Sequence, residues 1–366
     1  MRVTLKECVW ETVGDDLLVV RDAREAVTLG DPTGRVAALL GELSRGAWTT
    51  AELSDALVAR GFEVTEAEVA DGLAGLDSLG LVEDADGRWL GEPAADARHF
   101  SNLSFFGAYA GLDRPRAGFV RRLRAAHVLV LGVGGGGSTL VQCLAGLGVG
   151  RLTLVDRDRV EPRNFARQFL YRHRDVGRAK TERAAEWVRE YDPTIEVRAV
   201  ERWISGPDDL ADLTGGVDLI AGGVDGHPDA GLWVNEAAVR AGVPFVGGGG
   251  TPSQIMYQSV IPGRTPCLAC DAADRPAPGS SAGAALRLAE KIELSNPLTG
   301  PMATLIGSLV AFEAKRHLTG FEPPRAAGGR IVLDLREGLA PSWQPFTRNP
   351  DCPVCALAPA DSRERG

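Results

Sequence analysis

The sequence predicts an α/β fold in which a Rossmann-like, mostly parallel sheet follows a small winged-helix domain. Beyond residue 127, short β-branched runs alternate with helical patterns, which is typical of parallel strands joined by crossover helices. Residues 1–88 hold short paired strands and three helical patterns instead. At 366 residues, 44% hydrophobic and 24% charged, the chain is long enough for two separate cores. We therefore expect a first domain over 1–88, a linker over 89–97 and a second domain over 98–366.

A glycine-rich turn opens the predicted sheet. The apolar run 128–131 predicts a buried strand, and the sequence GVGGGG follows it directly, before the helical pattern of residues 138–147. Together they form a nucleotide-binding βα unit, in which backbone N–H groups and the positive end of the helix face a phosphate. The glycines expected to allow the tight turn, the phosphate approach and the close helix packing are Gly132, Gly134, Gly135 and Gly137.

A carboxylate follows at the end of the next predicted strand. Asp156 comes directly after the predicted strand 151–155. It lies roughly 20 residues past the glycines, where nucleotide-binding folds hold a ribose hydroxyl. On these residues alone, a dinucleotide site is as well supported as any other nucleotide site.

The residues after Asp156 decide between these kinds of site. They include the segments DRDRVE, NFARQ and GRAK, which resemble the ubiquitin-activating-type (ThiF-type) adenylyltransferases, a family that includes sulfur-carrier and microcin-type peptide-adenylating enzymes. The resemblance implies Mg-ATP rather than NAD, and adenylation of a carboxylate. Arg167 and Lys180 are the expected catalytic cations, because a carboxylate attacking an α-phosphate needs positive charge clustered on the polyanion. The resemblance assigns nucleotide contacts to Asp156, Asp158, Asn164 and Gln168.

Asp225 follows the predicted buried strand 217–223, at the carboxyl end where sites in open α/β sheets collect. The resemblance makes Asp225 a catalytic residue that holds Mg²⁺, an ion that prefers oxygen ligands in octahedral geometry. It also implies a homodimer in which an arginine of one subunit reaches the ATP of the other. In this chain Ser101 stands at the position of that arginine, and Gly226 replaces the asparagine usual after the aspartate.

Two later segments have candidate roles near the substrate. The run 247–250, four glycines after a predicted strand over 244–246, would allow close approach of a substrate tail, although simple turn flexibility explains it equally well. Residues 275–283 have the composition of a mobile crossover loop. No cysteine occurs between Cys270 and Cys352, so covalent transfer to an enzyme thiol is not expected.

Four of the six cysteines form two CxxC pairs. Four thiolates in this spacing predict a closed, tetrahedral structural Zn²⁺ site, and a redox pair is the weaker alternative. The predicted ligands are Cys267, Cys270, Cys352 and Cys355. Cys8 and Cys143 are single, and burial is the ordinary expectation for both.

The first domain has the pattern of a winged helix: strands around Gly14, a short strand near Val27, three helices, and a closing hairpin over 81–89. Residues 1–90 carry 18 acidic against 8 basic residues, a net charge of −10, which argues against a phosphate-tracking DNA surface. The pattern resembles the RiPP recognition elements instead, in which a leader peptide adds a strand to a sheet edge. The alternative is a domain that only covers the catalytic domain or dimerises.

Together these expectations describe a cytoplasmic enzyme that adenylates a carboxylate of a ribosomally made precursor peptide, docked through its leader. No nucleic acid or membrane partner is expected, and a separate modification enzyme would be a further partner. Two rivals stay open. One is a leader-binding protein that has lost turnover and serves a separate cyclodehydratase, which Ser101 and Gly226 favour. The other is a sulfur-carrier adenylyltransferase.

Overall fold

The computed structural model describes residues 1–22, 25–223, 227–273, 280, 281, 283, 284, 288 and 298–360. Asp225 and most of the predicted crossover loop 275–283 lie outside these residues. The chain divides into two units, Met1–Arg121 and Arg122–Gly366, with the boundary inside a helix. Among the described helices, none combines the length and apolar character that a membrane span requires.

An antiparallel meander of three strands opens the first unit, as the sequence predicts. Gly14, with a φ of +64°, turns the first hairpin, and the middle strand alternates a fully buried Leu17 and Val19 with an exposed Leu18. A separate pair of strands joins the start of the unit to a later segment. The strands are β1 Val3–Leu5, β2 Val9–Val13, β3 Asp16–Asp22, β4 Glu25–Gly30 and β5 Val82–Asp84, paired as β2-β3-β4 and β1-β5.

Three helices close the core of this unit, and two of them begin at capping boxes. Thr49 and Glu52 exchange side-chain and backbone hydrogen bonds at one helix start, and Thr65 and Glu68 do so at the next, as predicted for Thr65. The predicted linker contains a short helix that begins at Pro93. The helices are α1 Arg35–Leu43, α2 Thr50–Ala59, α3 Glu66–Ser78, α4 Pro93–Arg98, α5 Phe100–Gly107 and α6 Arg116–Ala125.

The predicted hairpin over residues 81–89 is wrong. Only β5 forms there, and it pairs with β1 in antiparallel register. The edge of β5 is taken by the N-terminal strand rather than by residues 86–89. In β5, Glu83 is fully buried and accepts from Arg116 Nε at 2.8 Å, and Arg88 Nε lies 3.2 Å from the same carboxylate.

Glu83→Ala is expected to lower the free energy of unfolding by roughly 3–5 kcal/mol, because it leaves a buried guanidinium without its carboxylate. Glu63→Ala, at an exposed glutamate of the same unit, is the matched control and should change it by less than about 0.5 kcal/mol. Urea denaturation followed by circular dichroism measures both. Equal stability of the two variants would show that the buried pair contributes nothing.

The second unit is built on an eight-stranded sheet. Five neighbouring strands are parallel, and three antiparallel strands extend one side. The strands are β6 His127–Leu131, β7 Arg151–Asp156, β8 Glu196–Glu201, β9 Leu219–Gly222, β10 Phe245–Thr251, β11 Gln254–Val260, β12 Gly329–Asp334 and β13 Ala340–Pro345, in the order β13-β12-β11-β10-β9-β6-β7-β8. Chain order reverses between β6 and β9, which creates a crevice at their carboxyl ends.

Small residues let two helices cross closely beside this crevice. A Cβ on Gly307 would overlap the carbonyl oxygen of Gly136, and one on Gly135 would lie 3.1 Å from Ala303 Cβ. The helix over residues 300–319 therefore packs against the first turn of the helix over residues 135–147. The helices of the unit are α7 Gly135–Leu147, α8 Lys180–Tyr191, α9 Ala230–Ala241, α10 Leu268–Ala273 and α11 Gly300–Thr319.

The glycine run 247–250 does not form a turn. It continues β10 and pairs with β11, with Gly248 opposite Tyr257. A Cβ on Gly248 would lie 2.7 Å from Val310 Cγ2, so α11 packs on the bare backbone of this strand. The glycines here let α11 pack closely on the sheet and do not reverse the chain.

Candidate active site

A cavity of about 750 Å³ lies in the crevice at the switch point of the sheet. It brings together every site residue predicted in the segment 132–180, from the glycine turn, the end of β7, the following loop and the start of α8. These residues are Gly132, Gly134, Gly135, Gly137, Asp156, Asp158, Asn164, Arg167, Gln168 and Lys180. Asp225 follows β9 by three residues and falls outside the described residues.

The glycine turn is sterically required at two positions. Gly132 has a φ of +74°, and a Cβ there would overlap the carbonyl oxygen of Gly223, beyond the end of β9. A Cβ on Gly137 would overlap the carbonyl oxygen of Gly132, so the helix can begin this close to the strand only with glycine. Glycine at both positions lets the backbone turn tightly at the floor of the cavity.

The start of α7 has the features that can bind an anion. Gly134 is its N-cap and has no side chain to accept the first N–H groups, so these groups are left for a ligand. The positive end of the helix dipole adds to them. Arg167 lies beside this end, since a Cβ on Gly135 would be 3.5 Å from Arg167 Cγ and Cδ. Among the described residues, Arg167 has no ion-pair partner, so its charge is available to the same anion.

Asp156 holds the glycine turn against the next strand. Its Oδ2 accepts from Val133 N at 2.8 Å and its Oδ1 from Asp158 N at 2.8 Å. Burial raises the pKa of this carboxyl, and the neighbouring charge of Lys180 lowers it in part. Each carboxylate oxygen has a second lone pair, so Asp156 can still accept from a ligand hydroxyl.

Lys180 is a buried cation at the cavity wall. Its side chain is 5% exposed, and its Nζ lies 2.8 Å from Asp158 Oδ2. Its backbone N–H also donates to the carbonyl of Asp158 at 3.0 Å, which fixes the start of α8 beside the loop after β7. The structure thus holds the Lys180 ammonium in one orientation at the wall of the cavity.

Asn164 ends a short 3-10 helix after β7, Gln168 lies four residues beyond it, and both line the cavity. Asn164 Oδ1 accepts from Glu161 N at 2.9 Å, which orients its amide. Gln168 is 2% exposed, and its Oε1 is buried without a hydrogen-bond partner. A buried carbonyl oxygen left unpaired costs free energy, so a ligand donor or water is expected at this point of the cavity.

Several lining residues were not predicted from the sequence. Arg157 and Trp203 stack on one side, where the loops after β7 and β8 meet. The opposite side is apolar and lies over the glycines of β10. The unpredicted lining residues also include Arg163, Arg202, Ile204, Leu298, Ile306 and Val310. Apart from Leu298, which lies two residues before α11, they follow a strand end or lie on α11, and this placement becomes visible only when the strand order is known.

The four CxxC cysteines meet, as predicted. Their Sγ atoms all lie within 4.8 Å of one another, with 3.9 Å between Cys267 and Cys352 and 3.5 Å between Cys270 and Cys355. A tetrahedral Zn²⁺ with thiolate ligands has sulfur atoms roughly 3.8 Å apart, so the cluster fits a zinc ion. Three of the cysteines are buried in the core around α9, which suits a structural metal. The single cysteines, Cys8 and Cys143, are half-buried rather than fully buried.

Comparisons with known proteins agree with this geometry. The family model described as "ThiF family" matches residues 108–354. The SAMP-activating enzyme E1 of Haloferax volcanii is 30% identical over 66% of this chain and 85% of its own length. The sulfur carrier protein adenylyltransferase of Thermus thermophilus is 33% identical over 65% of this chain and 85% of its own.

Among solved structures, E. coli MccB with ATP superposes with a TM-score of 0.76 at 20% identity, over 97% of this chain and all of that one. PaaA superposes with a TM-score of 0.63 at 21% identity, over 75% of this chain and 91% of that one. These likenesses show a shared fold. With the family match covering most of the chain, the conclusion is that this chain belongs to the ThiF family and is an adenylyltransferase.

Proposed function

We propose that the protein uses ATP to adenylate a carboxylate of a ribosomally synthesised precursor peptide, in the biosynthesis of a peptide natural product. The observation that carries the peptide assignment is the share of this chain that aligns with each relative. The E. coli enzyme MccB, solved in complex with N-formylated MccA, aligns with 97% of this chain and therefore with most of its first unit. The SAMP-activating enzyme E1 and the sulfur carrier protein adenylyltransferase each align with about two thirds of it.

The cavity suits the triphosphate of ATP. We assign the phosphates to the N–H groups at the start of α7 and to Arg167, and a ribose hydroxyl to Asp156. We assign to Lys180 the stabilisation of the negative charge that develops on the α-phosphate as the carboxylate attacks. Mg²⁺, when bound by Asp225 and the phosphates, would neutralise part of the polyanion.

The reaction follows from these positions. A carboxylate oxygen of the peptide forms a bond to the α-phosphorus, and the bond from that phosphorus to the bridging oxygen of pyrophosphate breaks. The products are an acyl adenylate and pyrophosphate. An amine, amide or thiol then attacks the acyl carbon and releases AMP. The arrangement contributes position and positive charge, which are the main requirements of this substitution.

Recruitment is assigned to the first unit. We propose that it acts as a RiPP recognition element, with a leader peptide that adds a strand to an edge of the sheet β2-β3-β4. The net charge of −10 over residues 1–90 favours a leader with basic residues. Tethering raises the local concentration of the peptide's reactive end near the nucleotide. A homodimer with one Zn²⁺ in each subunit completes the proposal.

A second candidate function is adenylation of a sulfur-carrier protein, which the 33% identity to the sulfur carrier protein adenylyltransferase of Thermus thermophilus favours. Pyrophosphate release separates the two. The test supplies ATP and Mg²⁺ with one of three partners: a short peptide encoded beside the gene, the same peptide without its leader, or a small carrier ending in Gly-Gly. Release that needs the leader-bearing peptide supports the proposal. Release with the carrier alone would assign the second function.

Gly249 offers a direct test of where the peptide lies. It lines the cavity, and a Cβ added there would meet nothing within 4 Å, so Gly249→Val should fold normally while it narrows the cavity beside the glycine strand. We expect the KM for the peptide to rise roughly 10-fold or more, with an unchanged Kd for ATP. Gly206→Val, at an extended glycine with open space outside the cavity, is the matched control. A normal KM in Gly249→Val would place the peptide elsewhere.

A further inference from the structure

We propose that Trp203 and Arg157 form the recognition site for the nucleotide base, and that a purine stacks on this pair. The inference rests on the proposed function, since it takes the ligand of the cavity to be ATP. It adds the residues on which the base is held.

The order of the strand ends places the base. The glycine turn follows β6, Asp156 ends β7, and Trp203 lies two residues beyond β8, while β6, β7 and β8 are successive parallel neighbours. Neighbouring strands lie about 4.8 Å apart, so Trp203 is roughly 10 Å from the glycine turn across the sheet. Phosphates at the turn and a ribose at Asp156 therefore direct the base toward Trp203.

The pair is held in place before any ligand binds. Arg157 Cζ lies 3.2 Å from the centroid of the Trp203 ring, and Trp203 is 51% exposed, so ring surface remains for a second flat partner. Arg202 anchors the loop: its N–H donates to the carbonyl of Asp156 at 3.1 Å, and its Nη2 donates to Asp212 Oδ2 at 3.0 Å. The stack therefore sits on a fixed segment beside the proposed ribose site.

The side chains of the cavity wall differ between the end near Trp203 and the end over β10. Trp203 is the one aromatic side chain among the described residues that line the cavity. The aliphatic residues Leu298, Ile306 and Val310 lie instead over β10, on the far side of the switch point, where we place the peptide. A base needs a flat π surface, and base–aromatic stacking accepts any base, with larger rings favoured.

The test compares ATP with inorganic tripolyphosphate by isothermal titration calorimetry. Trp203→Ala should weaken ATP binding roughly 5- to 100-fold and leave tripolyphosphate binding unchanged, because only the base contact is lost. Trp203→Phe should restore most of the affinity. Trp343→Ala is the control, since Trp343 is 47% exposed and lies on β13, away from the cavity lining.

Unchanged ATP affinity in Trp203→Ala would overturn this inference alone and leave the proposed function intact. Equal weakening of ATP and tripolyphosphate would also overturn it, because the tryptophan would then act on the cavity as a whole. A wild-type protein that binds tripolyphosphate but gains nothing from the nucleoside of ATP would overturn it as well. A wild-type protein that binds neither ligand would overturn the proposed function together with the inference.

Discussion

Lys180→Met is expected to lower the rate of peptide-dependent pyrophosphate release roughly 100- to 1000-fold, the effect of removing one preorganised group that stabilises charge in a transition state. Lys180 is 5% exposed and held 2.8 Å from Asp158, so its ammonium is fixed before ATP binds. Methionine keeps the length of the side chain and removes its charge. The loss should appear in kcat more than in the KM for ATP, because the developing charge on the α-phosphate exceeds that of the ground state.

A matched control exists in the same unit. Lys315 is also buried and stacks on Phe312, away from the cavity lining, so Lys315→Met makes the same chemical change without touching the proposed site. Both variants should be compared by thermal unfolding and by pyrophosphate release. A rate in Lys180→Met equal to that of the control would remove Lys180 from the chemistry.

Cys270→Ser is expected to abolish stoichiometric zinc and to lower the Tm by roughly 10 °C or more. Four thiolates close the site, so the loss of one ligand weakens the binding that links residues 267–270 to residues 352–355. Because metal binding is coupled to folding, that free energy is lost from the folded state. Elemental analysis of the purified protein and thermal unfolding measure the two effects.

Cys143→Ser provides the control, because Cys143 is half-buried in α7 and lies outside the cluster. It should keep one zinc per chain and a Tm close to that of the wild type. A chelator should reproduce the Cys270→Ser effect in the wild-type protein. Full stability of the metal-free wild type would show that the cluster is not a structural metal centre.

The sequence predicted the site well where residues close together in the chain determine the local structure. The glycine turn specifies a strand, a reversal and a helix within a few residues, so Gly132 and Gly137 could be placed without any knowledge of neighbouring strands. The same holds for the paired cysteines, whose spacing is local. Asp156 was also placed correctly at a strand end, although its two backbone hydrogen bonds to the glycine turn and loop were not foreseen.

Features that depend on distant parts of the chain could not be predicted. The sequence predicts that Glu83 and Arg88 lie on the two strands of one hairpin. In the structure β5 pairs with β1, and Glu83 is buried against Arg116 and Arg88. The glycine run 247–250 is explained equally well by close approach of a substrate and by turn flexibility until α11 is found packed on Gly248. Arg157 stacks on Trp203 because β7 and β8 are neighbours in the sheet. No single sequence motif predicts that pairing.

The central claim is that this cavity joins ATP to a peptide carboxylate, and ATP–pyrophosphate exchange tests it most directly. Labelled pyrophosphate is incubated with enzyme, ATP, Mg²⁺ and the leader-bearing peptide, and label in ATP reports reversible formation of the acyl adenylate. The account predicts exchange that needs the peptide, disappears when its reacting carboxylate is blocked, and falls in Lys180→Met. Tight peptide binding without exchange would contradict it and leave a protein that recruits a leader without activating it.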